Sequence, residues 1–174
     1  MTRPVEHAFT RVLDAPRERV WAAWTRPERL FRWFGPRSMA TPLGRVSLDV
    51  RPGGAWRATV VGEEGFEVTF DGVYREVRPP VRLVFTTGDP DAPGDGPASV
   101  VTIDLLDAAA GRTELRFHQR GVNVEPSGWL EFLDRLAEHV TADPGTADHF
   151  AEDHVPPGHV AASPVTAGPG RRPA

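Results

Sequence analysis

The chain has 174 residues, of which 40% are hydrophobic and 25% are charged, and this is enough for one globular domain with a proper core. Its net charge of −4 disfavours nucleic acid as a partner, and its lack of cysteine excludes disulfides, thiolate metal sites and a cysteine nucleophile. The N-terminus lacks the apolar core of a signal peptide, and no segment approaches the ~20 apolar residues of a membrane span, which predicts a cytoplasmic protein.

The predicted elements begin with a strand that leads into a helix. Residues 5–13 have strand character. Asp14 stands two positions before Pro16, a pattern that favours a helix start, because the carboxylate can cap free backbone N–H groups and proline fits the first turn. We therefore expect a helix over residues 17–24 with Asp14 as its cap.

A second short helix is predicted from Pro27. It ends at Gly35 and Pro36, because glycine suits a left-handed cap and proline cannot continue a helix. The segment 11–36 holds three of the five tryptophans. Such large side chains have too little helix of their own to pack on, so we expect them to lie against something wide, such as a curved sheet or a ligand.

Six strand-like segments follow, and turns rich in glycine and proline separate them. Short alternating runs at hairpin spacing predict an antiparallel sheet. Gly72 inside one of these runs indicates a bend or a close approach of another backbone. The predicted strands cover residues 45–51, 55–61, 66–77, 82–87, 99–106 and 112–119.

The hydrophobic period then changes to that of a helix. In residues 128–140 the apolar side chains recur at helical spacing on one face, and the charged side chains occupy the opposite face. This pattern strongly predicts an amphipathic helix. Ser127 is expected to cap its start. The residues that share the apolar face are Trp129, Leu133, Leu136 and Val140.

These elements predict an α+β domain over residues 1–141. The simplest packing wraps a curved antiparallel sheet of about six to seven strands around the long C-terminal helix, and the two short helices after the first strand close one end. Such a sheet leaves a cavity where it does not collapse fully onto the helix. Residues 142–174 are rich in proline and glycine, and we expect them to form a disordered tail.

Several ordered sequence blocks resemble one known family. They are RVLDAPRERVWAAW at 11–24, RWFGP at 32–36, DVRPGGAWR at 49–57, GVYREV at 72–77, PVRLVFT at 80–86, GRTEL at 111–115 and LDRLAEH at 133–139. Together they resemble the activator-of-heat-shock-protein-ATPase homologue (AHSA-type) domains of the SRPBCC superfamily, whose START-like members share the helix-grip fold. The resemblance covers roughly residues 5–141, and the bias for arginine over lysine is typical of a GC-rich, bacterial genome.

The resemblance implies a helix-grip domain that holds a small hydrophobic or aromatic molecule in an apolar internal cavity, for sequestration, transport or resistance. A polyketide cyclase or dehydratase is a first alternative, although no residue pair is spaced as nucleophile and base. A chaperone-ATPase activator with a role in stress response is a second. No cofactor is expected. A homodimer is compatible with the sequence.

Aromatic side chains are the main candidates for the wall of this cavity, because they supply large apolar surface. Trp33 and Phe34 are expected near its rim, where the break at Gly35 would allow a movable lid. Trp21 and Trp24 are expected to anchor the short helices to the fold. The predicted ligand-binding residues are Trp33, Trp56, Phe70, Tyr74, Glu76, Phe85, Phe117, Trp129 and Leu133.

Polar candidates are fewer. Glu76 shares a predicted strand face with Tyr74, so its carboxylate is expected to point inward. There it would act as acid or base, or pair with Arg57 or Arg82; we favour the ion pair, because an isolated buried charge is costly. Tyr74 would donate a hydrogen bond to a ligand carbonyl or to a backbone carbonyl. His118 is expected to face outward, because side chains alternate along a strand and Leu115 and Phe117 are expected to face inward.

No metal site is predicted. The chain has six histidines, but three of them lie five residues apart in the predicted tail, a spacing that does not stack them on one helical face. Compositional histidine clusters of this kind are weak indicators of metal binding. The three are His149, His154 and His159.

Overall fold

The computed structural model describes residues 4–88, 97–121 and 126–142. The chain divides into two units, Met1–Pro144 and Gly145–Ala174, and every described residue belongs to the first. The predicted tail lies outside the described residues, except for its first residue, Ala142.

A seven-stranded antiparallel sheet dominates this unit, as the alternating sequence predicts. The sheet is curved and unclosed, with the strand order β1-β7-β6-β5-β4-β3-β2. Neighbouring strands in this sheet are consecutive along the chain, with one exception. The first strand, β1, pairs with the last one, β7. The strands are β1 (Val5–Leu13), β2 (Val46–Leu48), β3 (Ala55–Val61), β4 (Glu67–Arg78), β5 (Arg82–Gly88), β6 (Pro97–Ala108) and β7 (Arg112–Gly121).

Three helices complete the described fold, and they are α1 (Arg17–Thr25), α2 (Pro27–Leu30) and α3 (Pro126–Ala142). The predicted cap at Asp14 is wrong: Pro16 is the N-cap of α1, and no side chain caps that helix. The backbone carbonyl of Pro16 instead accepts hydrogen bonds from the N–H groups of the first turn. The helix α3 begins at Pro126, and the cap predicted at Ser127 concerns a side chain outside the described part of the structure.

The core lies between the concave face of the sheet and α3. Leu83, Ile103 and Phe117 are paired across β5, β6 and β7 and are almost fully buried. Burial of each such side chain contributes about 1.5–3 kcal/mol. The helix contributes a continuous apolar stripe, which consists of Trp129, Phe132, Leu133, Leu136 and Val140. This confirms the α+β arrangement of a sheet wrapped around the last helix.

An irregularity in β4 decides which side chains reach the core. The pairing register between β4 and β5 shifts between Tyr74 and Glu76. Because side chains alternate along a strand, a one-residue shift moves every later residue to the opposite face. Tyr74 is therefore buried, and beyond the bulge Val77 instead of Glu76 packs against the core.

Candidate functional site

An aromatic cluster fills the space between the sheet and α3. Phe34 lies at its centre, with ring centroids 5.0–6.3 Å from its aromatic neighbours and mostly edge-to-face geometry. This geometry is the one that aromatic pairs prefer, because ring edges are positive and ring faces negative. The rings in contact with Phe34 are those of Trp33, Trp56, Phe70, Trp129 and Phe132.

Trp33 and Phe34 lie inside the fold. Their exposed fractions are 0% and 2%, so the rim position predicted for them is wrong. The turn after α2 carries both rings inward, and Trp33 Nε1 donates a hydrogen bond of 2.9 Å to the carbonyl oxygen of Ala23. Gly35 makes this turn possible, because its φ of +102° belongs to the left-handed region that glycine tolerates.

A small apolar cavity remains within this cluster. The centre of a water-sized sphere can occupy only about 10 Å³ of it, which is close to the minimum for one buried water. None of the residues that line it carries a charge. They are Trp24, Leu30, Phe34, Trp56, Tyr74, Leu83 and Phe85.

Trp24 is exceptional in this wall because its indole N–H is buried and finds no hydrogen-bond partner within the described ranges. Two other buried indoles are satisfied: Trp33 donates to Ala23, and Trp56 donates to the carbonyl oxygen of Thr86 at 2.9 Å. A buried polar group without a partner costs about 1–3 kcal/mol. Such exceptions are rare in proteins and call for an explanation.

Tyr74 lies in the wall, immediately before the bulge in β4. Its side chain is buried, and this burial, with a smaller effect of the negative charge of Asp49, raises the pKa of the phenol well above its ordinary value. The hydroxyl group therefore stays protonated throughout the physiological range, and its proton is available for donation to a neutral acceptor.

We expect the stability of the protein to fall as the pH rises above about 10, the ordinary pKa of tyrosine. The unfolded chain loses the Tyr74 proton there while the folded protein keeps it, so the free energy of unfolding declines by up to ~1.4 kcal/mol per pH unit. Tyr74 is the only tyrosine, so urea unfolding of Tyr74→Phe at the same pH values is a matched control without this slope. Tyrosinate absorbance that rises near pH ~10 in the folded protein would contradict the burial effect.

Glu76 does not face the cavity, and the inward orientation predicted for it is wrong. The bulge turns it to the outer face of the sheet, where its carboxylate lies 2.6 Å from Arg78 Nε and 3.3 Å from Arg82 Nε. Arg82 also binds Asp104 at 2.9 Å. The favoured ion pair is present on the outer face: of the two predicted partners Arg82 binds Glu76, whereas Arg57 pairs with Asp71.

The other predicted site residues divide into two groups. Trp56, Tyr74 and Phe85 reach the cavity wall itself. The remaining ones belong to the core that surrounds it, and they are Trp33, Phe70, Phe117, Trp129 and Leu133. Sequence reasoning did not place Trp24, Leu30, Phe34 and Leu83 in the wall. The amphipathic pattern of α1 is weak, so no periodicity marked Trp24 as a wall residue.

The expectation for His118 concerns the surface of the sheet. His118 is exposed on the outer face, with Nε2 3.7 Å from the carboxylate of Glu6, and this confirms the outward orientation. Within the described ranges, no cluster of histidine, aspartate or glutamate side chains could hold a metal ion. In the same part of the chain, no helix is long and apolar enough to cross a membrane.

A buried polar cluster lies at the edge of the concave face. The hydroxyl groups of Thr87 and Ser99 are 2.6 Å apart, and Gln119 Nε2 donates to Ser99 Oγ at 2.8 Å. Gln119 Oε1 is buried, and no described residue donates a hydrogen bond to it. Sequence analysis missed this cluster, because its three residues lie on different strands and no local pattern unites them.

A polar clamp, formed by Arg37, Arg135, Glu131 and Glu138, holds the turn after α2 to the last helix. Arg135 donates to the carbonyl oxygens of Gly35 at 2.7 Å and Pro36 at 3.2 Å. The backbone N–H of Arg37 donates to Glu131 at 2.6 Å, and its guanidinium pairs with Glu138. The hydrogen bond from Arg37 lowers the pKa of Glu138. The clamp therefore fixes the turn that follows Phe34, a residue of the cavity wall, to α3.

Comparison with known proteins identifies relatives of this fold. A solved protein from Chromobacterium violaceum is 31% identical with a TM-score of 0.66, over 78% of this chain and 96% of that one. An AHSA1-like protein from Aeromonas hydrophila is 22% identical with a TM-score of 0.68, over 79% and 93%. A protein from Rhodobacter sphaeroides is 24% identical with a TM-score of 0.67, also over 79% and 93%. No curated protein matches the chain.

The likeness to the second and third of these proteins concerns the fold alone. A family model, described as Activator of Hsp90 ATPase homolog 1-like protein, matches residues 14–141. That range runs from the residue after β1 to the last turn of α3, so it contains every residue of the cavity wall. The chain therefore belongs to the family of Activator of Hsp90 ATPase homolog 1-like proteins.

Proposed function

We propose that the protein binds a small hydrophobic or aromatic molecule in the cavity between the sheet and α3. The observation that carries the proposal is a cavity wall without charged residues, to which Trp24 belongs, and the buried N–H group of Trp24 has no partner among the described residues. A wall built only for stability has no need of such a group, whereas ligand pockets combine apolar walls with a few polar groups that orient the ligand.

Ligand entry has to enlarge the cavity, because the present space admits little more than one water. Phe34 and Leu30 lie in the wall and also border the turn that the polar clamp holds. Several clamp contacts are exposed ion pairs and hydrogen bonds, which contribute little each. We propose that this turn moves outward on binding. The observed affinity is then the affinity of the open form multiplied by the fraction of molecules that are open.

Sequestration or transport fits this site better than catalysis. The cyclase alternative required Glu76 as an acid or base beside the ligand, and its carboxylate lies on the outer face with Arg78 and Arg82. General acid–base catalysis needs a group within hydrogen-bond reach of the reacting atom. A role as activator of a chaperone ATPase rests on the family description alone, so we do not propose it.

Naphthalene is a suitable first probe for the proposed binding. We expect it to change the tryptophan fluorescence, since Trp24 and Trp56 line the cavity, and to raise the melting temperature, because a ligand of the folded state stabilises it. Leu30→Phe fills the cavity and should weaken binding by about ten-fold or more, the effect of a misfit in an apolar pocket.

Phe66→Ala is the matched control for this experiment. Phe66 is 65% exposed, so it is the side chain most prone to non-specific contact with an apolar probe. Binding that survives Phe66→Ala and is lost in Leu30→Phe supports the cavity. If naphthalene and toluene leave the fluorescence and melting temperature unchanged up to their solubility limits, the proposal is wrong.

A further inference from the structure

The unpaired N–H group of Trp24 carries information about the ligand. The indole is fixed among other rings, with its centroid 4.7 Å from Trp33, 6.1 Å from Phe85 and 6.2 Å from Trp129. A side chain packed in this way cannot turn its N–H toward another acceptor without disturbing these rings. The donor is therefore kept pointing at a place where the described residues supply no acceptor.

The charge of the surroundings limits what can fill that place. No residue of the wall is charged, so an anionic ligand would lose its hydration without gaining a counterion. Asp49 acts on the wall residue Tyr74 with negative charge, which disfavours an anion further. A neutral oxygen carries no charge to dehydrate and is not repelled by Asp49, and it accepts a hydrogen bond from an indole.

Resting on the proposed function, we infer that the ligand is a neutral, largely apolar molecule with a carbonyl or ether oxygen that accepts a hydrogen bond from Trp24 Nε1. The oxygen fixes the orientation of the ligand, and the remaining apolar surface contacts the aromatic wall. Two other wall residues carry polar atoms, Trp56 and Tyr74, and the N–H group of Trp56 is already bonded to the carbonyl oxygen of Thr86. The raised pKa of Tyr74 keeps its phenol neutral, so Tyr74 adds no charge against such a ligand.

A pair of probes that differ only in the oxygen tests this inference. 1-Tetralone and tetralin share the same bicyclic frame, and only 1-tetralone carries a carbonyl group. Dissociation constants are measured by calorimetry for the unmodified protein, for Trp24→Phe and for Trp33→Phe. Trp33→Phe is the matched control, because it also shortens a buried indole but removes a donor that already has a partner.

We expect 1-tetralone to bind the unmodified protein about ten-fold more tightly than tetralin, the effect of one net hydrogen bond. The ratio of the dissociation constants of tetralin and 1-tetralone should fall to about one in Trp24→Phe and stay near ten in Trp33→Phe. The anion 1-naphthoate should not bind measurably. In the unmodified protein, the Trp24 Nε1–H resonance should shift with 1-tetralone far more than with tetralin, which tests the contact even if Trp24→Phe does not fold.

Two results would overturn the inference while leaving the proposed function intact. The first is equal affinity of the unmodified protein for the two probes. The second is a preference for 1-tetralone that survives in Trp24→Phe, together with a Trp24 resonance of the unmodified protein that 1-tetralone does not shift. If neither probe binds, the proposed function fails, and the inference fails with it.

Discussion

Gly72→Ala is expected to destabilise the protein by about 4 kcal/mol or more, which is the range of the most severe single substitutions. A Cβ atom at this position would lie 1.8 Å from the carbonyl oxygen of Thr86 and 2.8 Å from Trp56 Nε1. The first of these atoms belongs to the backbone and cannot turn away. The added methyl group also breaks the hydrogen bond that Trp56 donates to Thr86, so one wall residue of the cavity is displaced.

Urea unfolding measures this effect, and Gly44→Ala provides the control. A Cβ atom at Gly44 meets nothing within 4 Å, so its substitution should change the free energy of unfolding by less than about 0.5 kcal/mol. A loss of under ~1 kcal/mol for Gly72→Ala would mean that β4 and β5 can separate at this point without cost. The close packing that we describe there would then be wrong.

Phe34→Ala is expected to cost about 3–5 kcal/mol, the usual effect of removing a buried phenylalanine. Phe34 is 2% exposed and lies at the centre of the aromatic cluster. Its removal takes away apolar contacts and leaves a void, because the rings on the sheet, on the turn after α2 and on α3 cannot all move into the space together.

Phe66→Ala is the matched control for Phe34→Ala. It removes the same side chain from a position that is 65% exposed, so we expect a change within about 0.5 kcal/mol. Unfolding in urea, followed by far-UV circular dichroism, compares the two variants. Equal losses would show that Phe34 does not organise the core, and the account of the closed cavity would need revision.

Much of the fold is readable from the sequence, because the strands and the last helix have clear periods. Alternation over residues 55–61 predicts β3 with the bounds that the structure has. The apolar stripe of α3 likewise predicts the face that it buries. Gly72 signals a close backbone approach, and the carbonyl oxygen of Thr86 provides it.

The errors arise where a single residue changes the geometry. Alternation places Glu76 on the same face as Tyr74, but the bulge between them reverses the faces, and no residue type in that stretch marks a bulge. Phe34 was expected at the rim because it stands beside Gly35. The left-handed turn at Gly35 instead directs the ring inward, a consequence of three-dimensional packing that local sequence does not contain.

The cavity wall was the least predictable part. Aromatic content indicates that Trp56, Tyr74 and Phe85 lie inside, and they do line the cavity. Which inward residues border the remaining space depends on how α1, α2 and the sheet fit together. The missing partner of Trp24 Nε1 has no sequence signal at all, because a hydrogen bond between distant segments is visible only in the folded chain.

The central claim is that the cavity admits a small apolar molecule, and the side-chain N–H resonances of the tryptophans test it most directly. The chain has five tryptophans, of which Trp24 and Trp56 line the cavity while Trp21 does not. During a titration with 1-tetralone, we predict saturable shifts of the Trp24 and Trp56 resonances and a nearly constant Trp21 resonance. If all five resonances stay unchanged up to the solubility limit of the probe, the cavity is only a packing defect, and the account is contradicted.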